Sequence, residues 1–160
     1  IVDCARFAPT GSNLQPVKYI IVQNEQLLGK VFDCTSWAGY LHGKGTPGEN
    51  ERPKAYIVVL ADTTIRESNF EYDVGAAVMT IIYAALSKGI GSCWIGSAKQ
   101  DRLRDILKIS ENLSIESVVA LGFPAEQPVA EEFIGDIKYY KDEKAVIHVP
   151  KRKLSDVIIK

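Results

Sequence analysis

The chain has 160 residues, 46% of them hydrophobic, and a formal net charge of −1. That length suits one domain with a real core, and the near-neutral balance argues against a nucleic-acid partner, which needs Lys and Arg in surplus on one face. The longest apolar stretch, around Ala76 to Leu86, is about half of the ~20 residues that cross a bilayer, and no charged n-region precedes an apolar h-region, so neither a membrane span nor a signal peptide is expected.

In chain order, Ile1 to Ala8 reads as the tail of a helix, with Ile1, Val2, Ala5 and Ala8 near one face. The chain thus opens inside a helical pattern and without Met, so a preceding segment is expected. Pro9-Thr10-Gly11-Ser12-Asn13 breaks that helix. Val17 to Gln23 is β-branched and apolar, a buried strand. Glu25 to Phe32 spaces Leu27, Leu28, Val31 and Phe32 as a helix does. Gly39 to Pro53 is a glycine- and proline-rich loop, expected to be mobile. Ala55 to Ala61 is a second buried strand, and Phe70 to Lys88 a long helix. The middle of that helix is apolar on nearly every face, which predicts burial on all sides and a partner subunit over part of it. Gly89 and Gly91 end it. Ser92 to Ile95 is a short strand, Gln100 to Leu107 an amphipathic helix, and Ser114 to Gly122 a long strand stopped by Pro124. Val146 to Val149 is the last expected strand, and Lys151 to Lys160 a tail. Helices and strands alternate with interruptions, which is compatible with α/β or α+β, in a single domain spanning residues 1–160.

Three segments carry chemistry. Ala8 to Pro16 (APTGSNLQP) is a polar turn feeding a buried strand. By composition it is a helix stop, yet its backbone N–H groups with Thr10, Asn13 and Gln15 also suit the edge of a planar heterocycle. Gly89 to Ser97 (GIGSCWIGS) lets backbone approach a ligand closely, and Trp94 is either a core aromatic or the partner of an aromatic ring. Lys151-Arg152-Lys153 is either a solvated basic tail or a phosphate grip. Cys4, Cys34 and Cys93 are odd in number and lack a CxxC spacing, as reduced thiols in the cytoplasm would be. No Cys/His cluster has metal-ligand spacing. His148, alone in an apolar strand, is expected in the core, and His42 lies in the loop. GxGxxG, GxxxxGK[ST] and GxSxG are all missing from their required contexts.

Taken together the segments resemble the nitroreductase family of flavoproteins. Ala5 through Pro16 matches A-x-x-[AS]-P-[ST]-x-x-N-x-Q-P. Asp73 to Gly96 matches a D-x-G-A-A helix running into G-[IL]-G-[ST]-C-W-I-G. Val119 to Pro124 matches V-A-L-G-[FY]-P, and Lys151 to Ile158 a closing basic segment. The resemblance implies an α+β three-layer sandwich, a central and mostly antiparallel sheet flanked by helices, in an intertwined homodimer with FMN at the interface. It implies that Pro9, Thr10, Gly11, Asn13 and Gln15 meet the flavin from one side and that Trp94, Ile95 and Gly96 line the other, the Gly96 backbone facing flavin N5. Asp73 lies near the pyrimidine edge, and Lys151, Arg152 and Lys153 hold the phosphate. Family members begin with an Arg-rich segment upstream of where this chain opens. The loop from Gly39 is the expected lid, with Tyr40 and His42 as substrate contacts. The implied function is electron transfer by ping-pong from NAD(P)H to a small nitroaromatic, quinone or flavin acceptor. An FMN-binding electron relay or flavin carrier without its own NAD(P)H reductase activity is the alternative. No protein acid or base is expected, because the cofactor carries the chemistry.

Overall fold

The computed structural model describes residues 1–159, and its central strand is β2 (Ala55–Asp62), whose AYIVVLAD run is buried on both faces. On either side of it lie β1 (Val17–Val22) and β4 (Leu113–Gly122), and β3 (Gly91–Ile95) closes the other edge beside β4. The strand order is β1-β2-β4-β3 and every pairing is antiparallel. Alternation along β2 sends Ile57, Val59 and Ala61 to one face. There they meet Val74, Val78, Ile81 and Ala85 of α3 (Glu71–Leu86) and Ala5 of α1 (Val2–Ala5). Tyr56, Val58 and Leu60 take the opposite face, where α2 (Glu25–Phe32) packs and in turn touches α4 (Gln100–Leu107). This is the three-layer α+β sandwich that the resemblance implied.

One irregularity keeps the pattern consistent. Val59 pairs with Ser117 but Leu60 pairs with Ile115, so Glu116 is bulged out of register. Without the bulge, Glu116 rather than Ile115 would enter the core beside Leu60.

The chain forms two compact units, one of Ile1–Ser36 with Gly48–Pro124 and another of Trp37–Pro47 with residues from Ala125 onward. In the second unit β7 (Ile147–Lys151) lies between β5 (Val129–Glu132), which it pairs in parallel, and β6 (Tyr140–Lys141), which it pairs antiparallel. Neither β5 nor β6 has a sequence signal: VAEE is mostly exposed and β6 is two residues long. The expected tail divides, since Lys151 ends β7 and Leu154–Val157 form one helical turn, α5; Lys160 lies outside the described residues. The first helix stops at Ala5 rather than Ala8: the Phe7 and Ala8 amides bond the Cys4 and Ala5 carbonyls in tighter three-residue turns, and Ala8, before Pro9, is kept out of the helical region.

Within the single chain α3 leaves one long face open, with Tyr72 (87% exposed), Met79 (39%), Tyr83 (64%) and Leu86 (66%) along it. One expectation needs correction: His148 is not a core residue. Its Nδ1 lies 3.1 Å from Glu131 Oε2, its Nε2 lies 3.4 Å from Asp142 Oδ2, and its ring stacks on Tyr140 at 5.0 Å. Parallel pairing brings Glu131 and the β6–β7 turn brings Asp142, and neither contact is visible as a short spacing. No helix among the described residues is long and apolar enough to cross a membrane.

Two half-buried carboxylates, Asp62 and Asp142, tie turns to this framework. The Thr64 hydroxyl donates to Asp62 (2.6 Å) and, first among several contacts, holds that carboxyl below its ordinary value of 3.8. Asp142 is held below the same value first by the Val146 backbone N–H. A depressed folded-state value contributes stability above the ordinary value and loses it as the pH falls through the folded one. The thermal midpoint should therefore hold steady down to about pH 5 and drop on acidification below about pH 4, and Asp62→Asn should remove part of that drop. A midpoint that falls equally in the variant excludes Asp62 as a contributor.

Candidate functional site

The turn after α1 is built from its own polar groups. The Thr10 carbonyl accepts from Asn13 N–H (2.9 Å) and the Gly11 carbonyl from Leu14 N–H (3.1 Å). The Thr10 hydroxyl accepts from Gln15 N–H at 3.1 Å, and the Gln15 side-chain amide donates to the Asn13 carbonyl at 3.2 Å. Closing the turn this tightly puts Ser12 (φ 52°), Asn13 (φ 56°) and Gln15 (φ 56°) in the left-handed region. For residues with a Cβ that conformation costs on the order of 1–3 kcal/mol each and persists only where surroundings impose it. Asn tolerates it best; Ser and Gln do not. Pro9 and residues 11–15 are nevertheless exposed, so the strain supports no core packing.

What imposes the turn lies behind it. Asp73, in the first turn of α3, is 4% exposed. Its Oδ1 accepts from Gly11 N–H at 2.9 Å and its Oδ2 from Arg66 Nη1 at 3.0 Å. The structure therefore joins Gly11 and Asp73 directly, two residues far apart in the chain. Both carboxylate oxygens are engaged within the chain, which makes Asp73 a tether of the turn. Below the turn Pro16 is buried, and its carbonyl accepts from Asp62 N–H at 2.8 Å.

The second segment ends an edge strand. Trp94 pairs with Val119 and Ile95 with Val118, so the two side chains take opposite faces. Trp94 is 46% exposed, Ile95 is in the core and offers only backbone, and Gly96 is exposed. A Cβ built on Gly96 meets nothing within 4 Å among the described residues, and its φ is not left-handed. The fold therefore has no use for a glycine there. Cys34 is buried, and burial pushes its thiol up, away from any activated thiolate.

The remaining candidates belong to the second unit. Tyr40 N–H donates to the Tyr139 hydroxyl (3.4 Å) and the two rings lie 5.0 Å apart. His42 is exposed at φ 47°, and Leu41 between them is buried. The expected lid loop is thus divided, its first part belonging to the second unit and Gly48 onward to the first. Of the basic residues, Lys153 pairs with Glu132 at 2.9 Å and Arg152 lies over the Phe133 ring at 4.9 Å. Lys151 is exposed at the end of β7. Arg66 was missed by sequence reading, since one Arg in a polar turn carries no periodicity and no motif.

The nitroreductase family model matches residues 48–123, a span holding α3, β3 and most of the V-A-L-G-F-P segment. A protein of Archaeoglobus fulgidus, provisionally named NADH dehydrogenase/NAD(P)H nitroreductase, is 33% identical over 136 residues, 79% of this chain and 72% of its own length. The chain belongs to the nitroreductase family. As a member of that family it is an oxidoreductase. A nitroreductase-family relative of the same provisional name in Methanothermobacter thermautotrophicus is 27% identical over 134 residues, 80% of this chain and 65% of its own. The fold agrees. A provisionally named nitroreductase from Desulfovibrio desulfuricans, solved in complex with FMN, superposes with a TM-score of 0.70 at 19% identity, over 99% of this chain and 80% of that one. A nitroreductase family protein from Streptococcus pneumoniae gives 0.69 at 15% identity, over 99% and 86%.

Proposed function

We infer that the chain is an FMN-dependent oxidoreductase that draws on NAD(P)H, works as a cytoplasmic homodimer and reduces small nitroaromatic, quinone or flavin acceptors. The observation that carries the reading is the exposed turn with its left-handed Ser12, Asn13 and Gln15, held from behind by a buried carboxylate. Strain of this kind collects at ligand clamps, and the turn presents neutral donors and acceptors of the sort a flavin ring edge takes. Trp94 and Gly96 add a half-exposed aromatic and a glycine with space in front of it.

Pro9, Thr10, Gly11, Asn13 and Gln15 hold one side of the flavin in this reading, and Trp94, the Ile95 backbone and Gly96 the other. Lys151 to Lys153 supply charge for the phosphate, with Lys153 also paired to Glu132. Bound FMN would accept hydride from the nicotinamide and hand electrons to the acceptor in ping-pong order. Tyr40 and His42 are the contacts for acceptor. The exposed face of α3 is where the second copy packs, and exposed Cys4 and Cys93 fit a reducing compartment.

The test is anaerobic mixing of the FMN-loaded, full-length protein with NADH and with NADPH. Loss of the flavin absorbance band with either supports the reductase. A flavin that stays oxidised with both and is bleached by dithionite points instead to a relay or carrier. FMN should also raise the melting temperature, as any ligand selective for the folded state does.

A further inference from the structure

Arg66 follows β2 on a turn whose Ile65 and Arg66 amides both donate to the Asp62 carbonyl (3.1 Å each). From there its guanidinium makes two directed bonds, Nη1 to Asp73 Oδ2 at 3.0 Å and Nε to the Ser68 carbonyl at 3.0 Å. It also lies directly behind the turn, so that a Cβ on Gly11 would come 2.5 Å from Nη1. Gly11, Asp73 and Arg66 therefore form a contiguous stack, with glycine the only residue that fits at its outer end without moving the guanidinium.

The stack has a direction. A buried carboxylate without a partner is strongly unfavourable, and Arg66 supplies that partner through a planar fork that also fixes its own orientation on Ser68. With Oδ2 engaged, Oδ1 is aimed at Gly11 N–H. Asp73 engages the Gly11 N–H with one oxygen and Arg66 with the other, so the pair ties the turn to the start of α3. Release Arg66, and the left-handed residues at 12, 13 and 15 are no longer over-determined.

We propose that Arg66 is a positioning residue of the cofactor site, holding the Gly11 N–H through Asp73 and thereby keeping the Ser12–Gln15 turn in its ligand-ready form. The proposal rests on the reading that this turn meets FMN. The effect of Arg66 travels through the carboxylate to the turn.

The experiment is FMN titration of the full-length protein by flavin fluorescence, for the unmodified chain and for Arg66→Ala, Arg66→Lys, Gly11→Ala and Arg66→Ala with Gly11→Ala. Arg66→Ala should weaken FMN at least tenfold, about 1.4 kcal/mol. Arg66→Lys keeps a charge for Asp73 but loses the planar fork that also holds Ser68, and should recover only part of that affinity. Gly11→Ala should weaken binding alone yet add little in the Arg66→Ala background, because both act on one stack. A folded Arg66→Ala that binds FMN within about twofold of the unmodified protein overturns the proposal, as do fully additive losses. Should Arg66→Ala fail to fold, Gly11→Ala decides: its methyl meets only the far end of a flexible side chain, and unchanged affinity there overturns the proposal too. An unmodified protein that binds no FMN overturns the flavin reading and this one with it, and is told apart because it needs no variant.

Discussion

Gly96→Val is expected to abolish FMN binding while leaving the fold as stable as before. Glycine is required by a chain where φ is left-handed or where another group lies too close for a Cβ. Gly89, at φ +69°, satisfies the first, and Gly91, whose Cβ would lie 3.4 Å from the Gly122 carbonyl and from Pro124, approaches the second. Gly96 satisfies neither, with open space in front of it among the described residues. A side chain there should change stability by no more than about 0.5–1 kcal/mol, and in either direction, because unfolded-state freedom is lost as well. In the proposed site that open space is filled by flavin, with the Gly96 backbone near its hydride-accepting atom. Two methyl groups in the ring's place should weaken FMN at least a hundredfold, roughly 2.7 kcal/mol. Thermal melting without FMN measures the first expectation and fluorescence titration the second. An unaltered affinity would remove Gly96 from the site, and a large loss of stability would mean that the glycine serves the fold after all.

Gly96 also shows where sequence reading succeeds and where it stops. Elements whose residues bury themselves by local periodicity were legible. β2 is a continuous apolar run and β4 carries another in its Val118–Leu121 half, α2 and α4 place their apolar residues at helical spacing, and α4 was bounded correctly at Gln100 and Leu107. Elements stabilised by distant partners were not. β5 and β6 exist because β7 lies between them, and nothing in VAEE or Tyr140–Lys141 announces a strand. His148 was misread for the same reason, since its two carboxylates come from a parallel neighbour and a later turn. Within the candidate site the exposed face was readable as a motif from Ala8 to Pro16, whereas its support was not. Asp73 was placed in the site from the motif, but its engagement with Gly11 and Arg66 depends on tertiary folding that brings the start of α3 against the first turn. A motif records residue types that recur in order; it does not record which of them face a ligand and which hold the others in place.

Replacing Met79 and Tyr83 together by Glu is expected to halve the particle mass and to remove FMN binding with it. Tyr72, Met79, Tyr83 and Leu86 are separated by seven, four and three residues, which puts them on one face of α3, and all are exposed in the single chain. Gly75, in the first half of the same helix, has nothing within 4 Å of a built Cβ among the described residues. A mid-helix glycine costs about 1 kcal/mol relative to alanine, and this chain's own packing does not explain it; a second copy lying against the helix would. A helix face this apolar and this long is unusual on a monomer, and a two-fold dimer covers it by setting the same patch against itself. Glutamate is a good helix former, so in a monomer the two substitutions would be benign. In a dimer they bury uncompensated carboxylates, two from each protomer, at a cost on the order of 3–5 kcal/mol, enough to raise the dissociation constant more than about a hundredfold. Light scattering behind a sizing column reads the mass, and the same fractions read bound flavin. Lys108→Glu, on the exposed left-handed residue that ends α4, is the matched control and should change neither. A half-mass particle that still holds FMN would place the flavin within one protomer, and an unmodified protein of single-chain mass would leave the apolar face of α3 to a different partner.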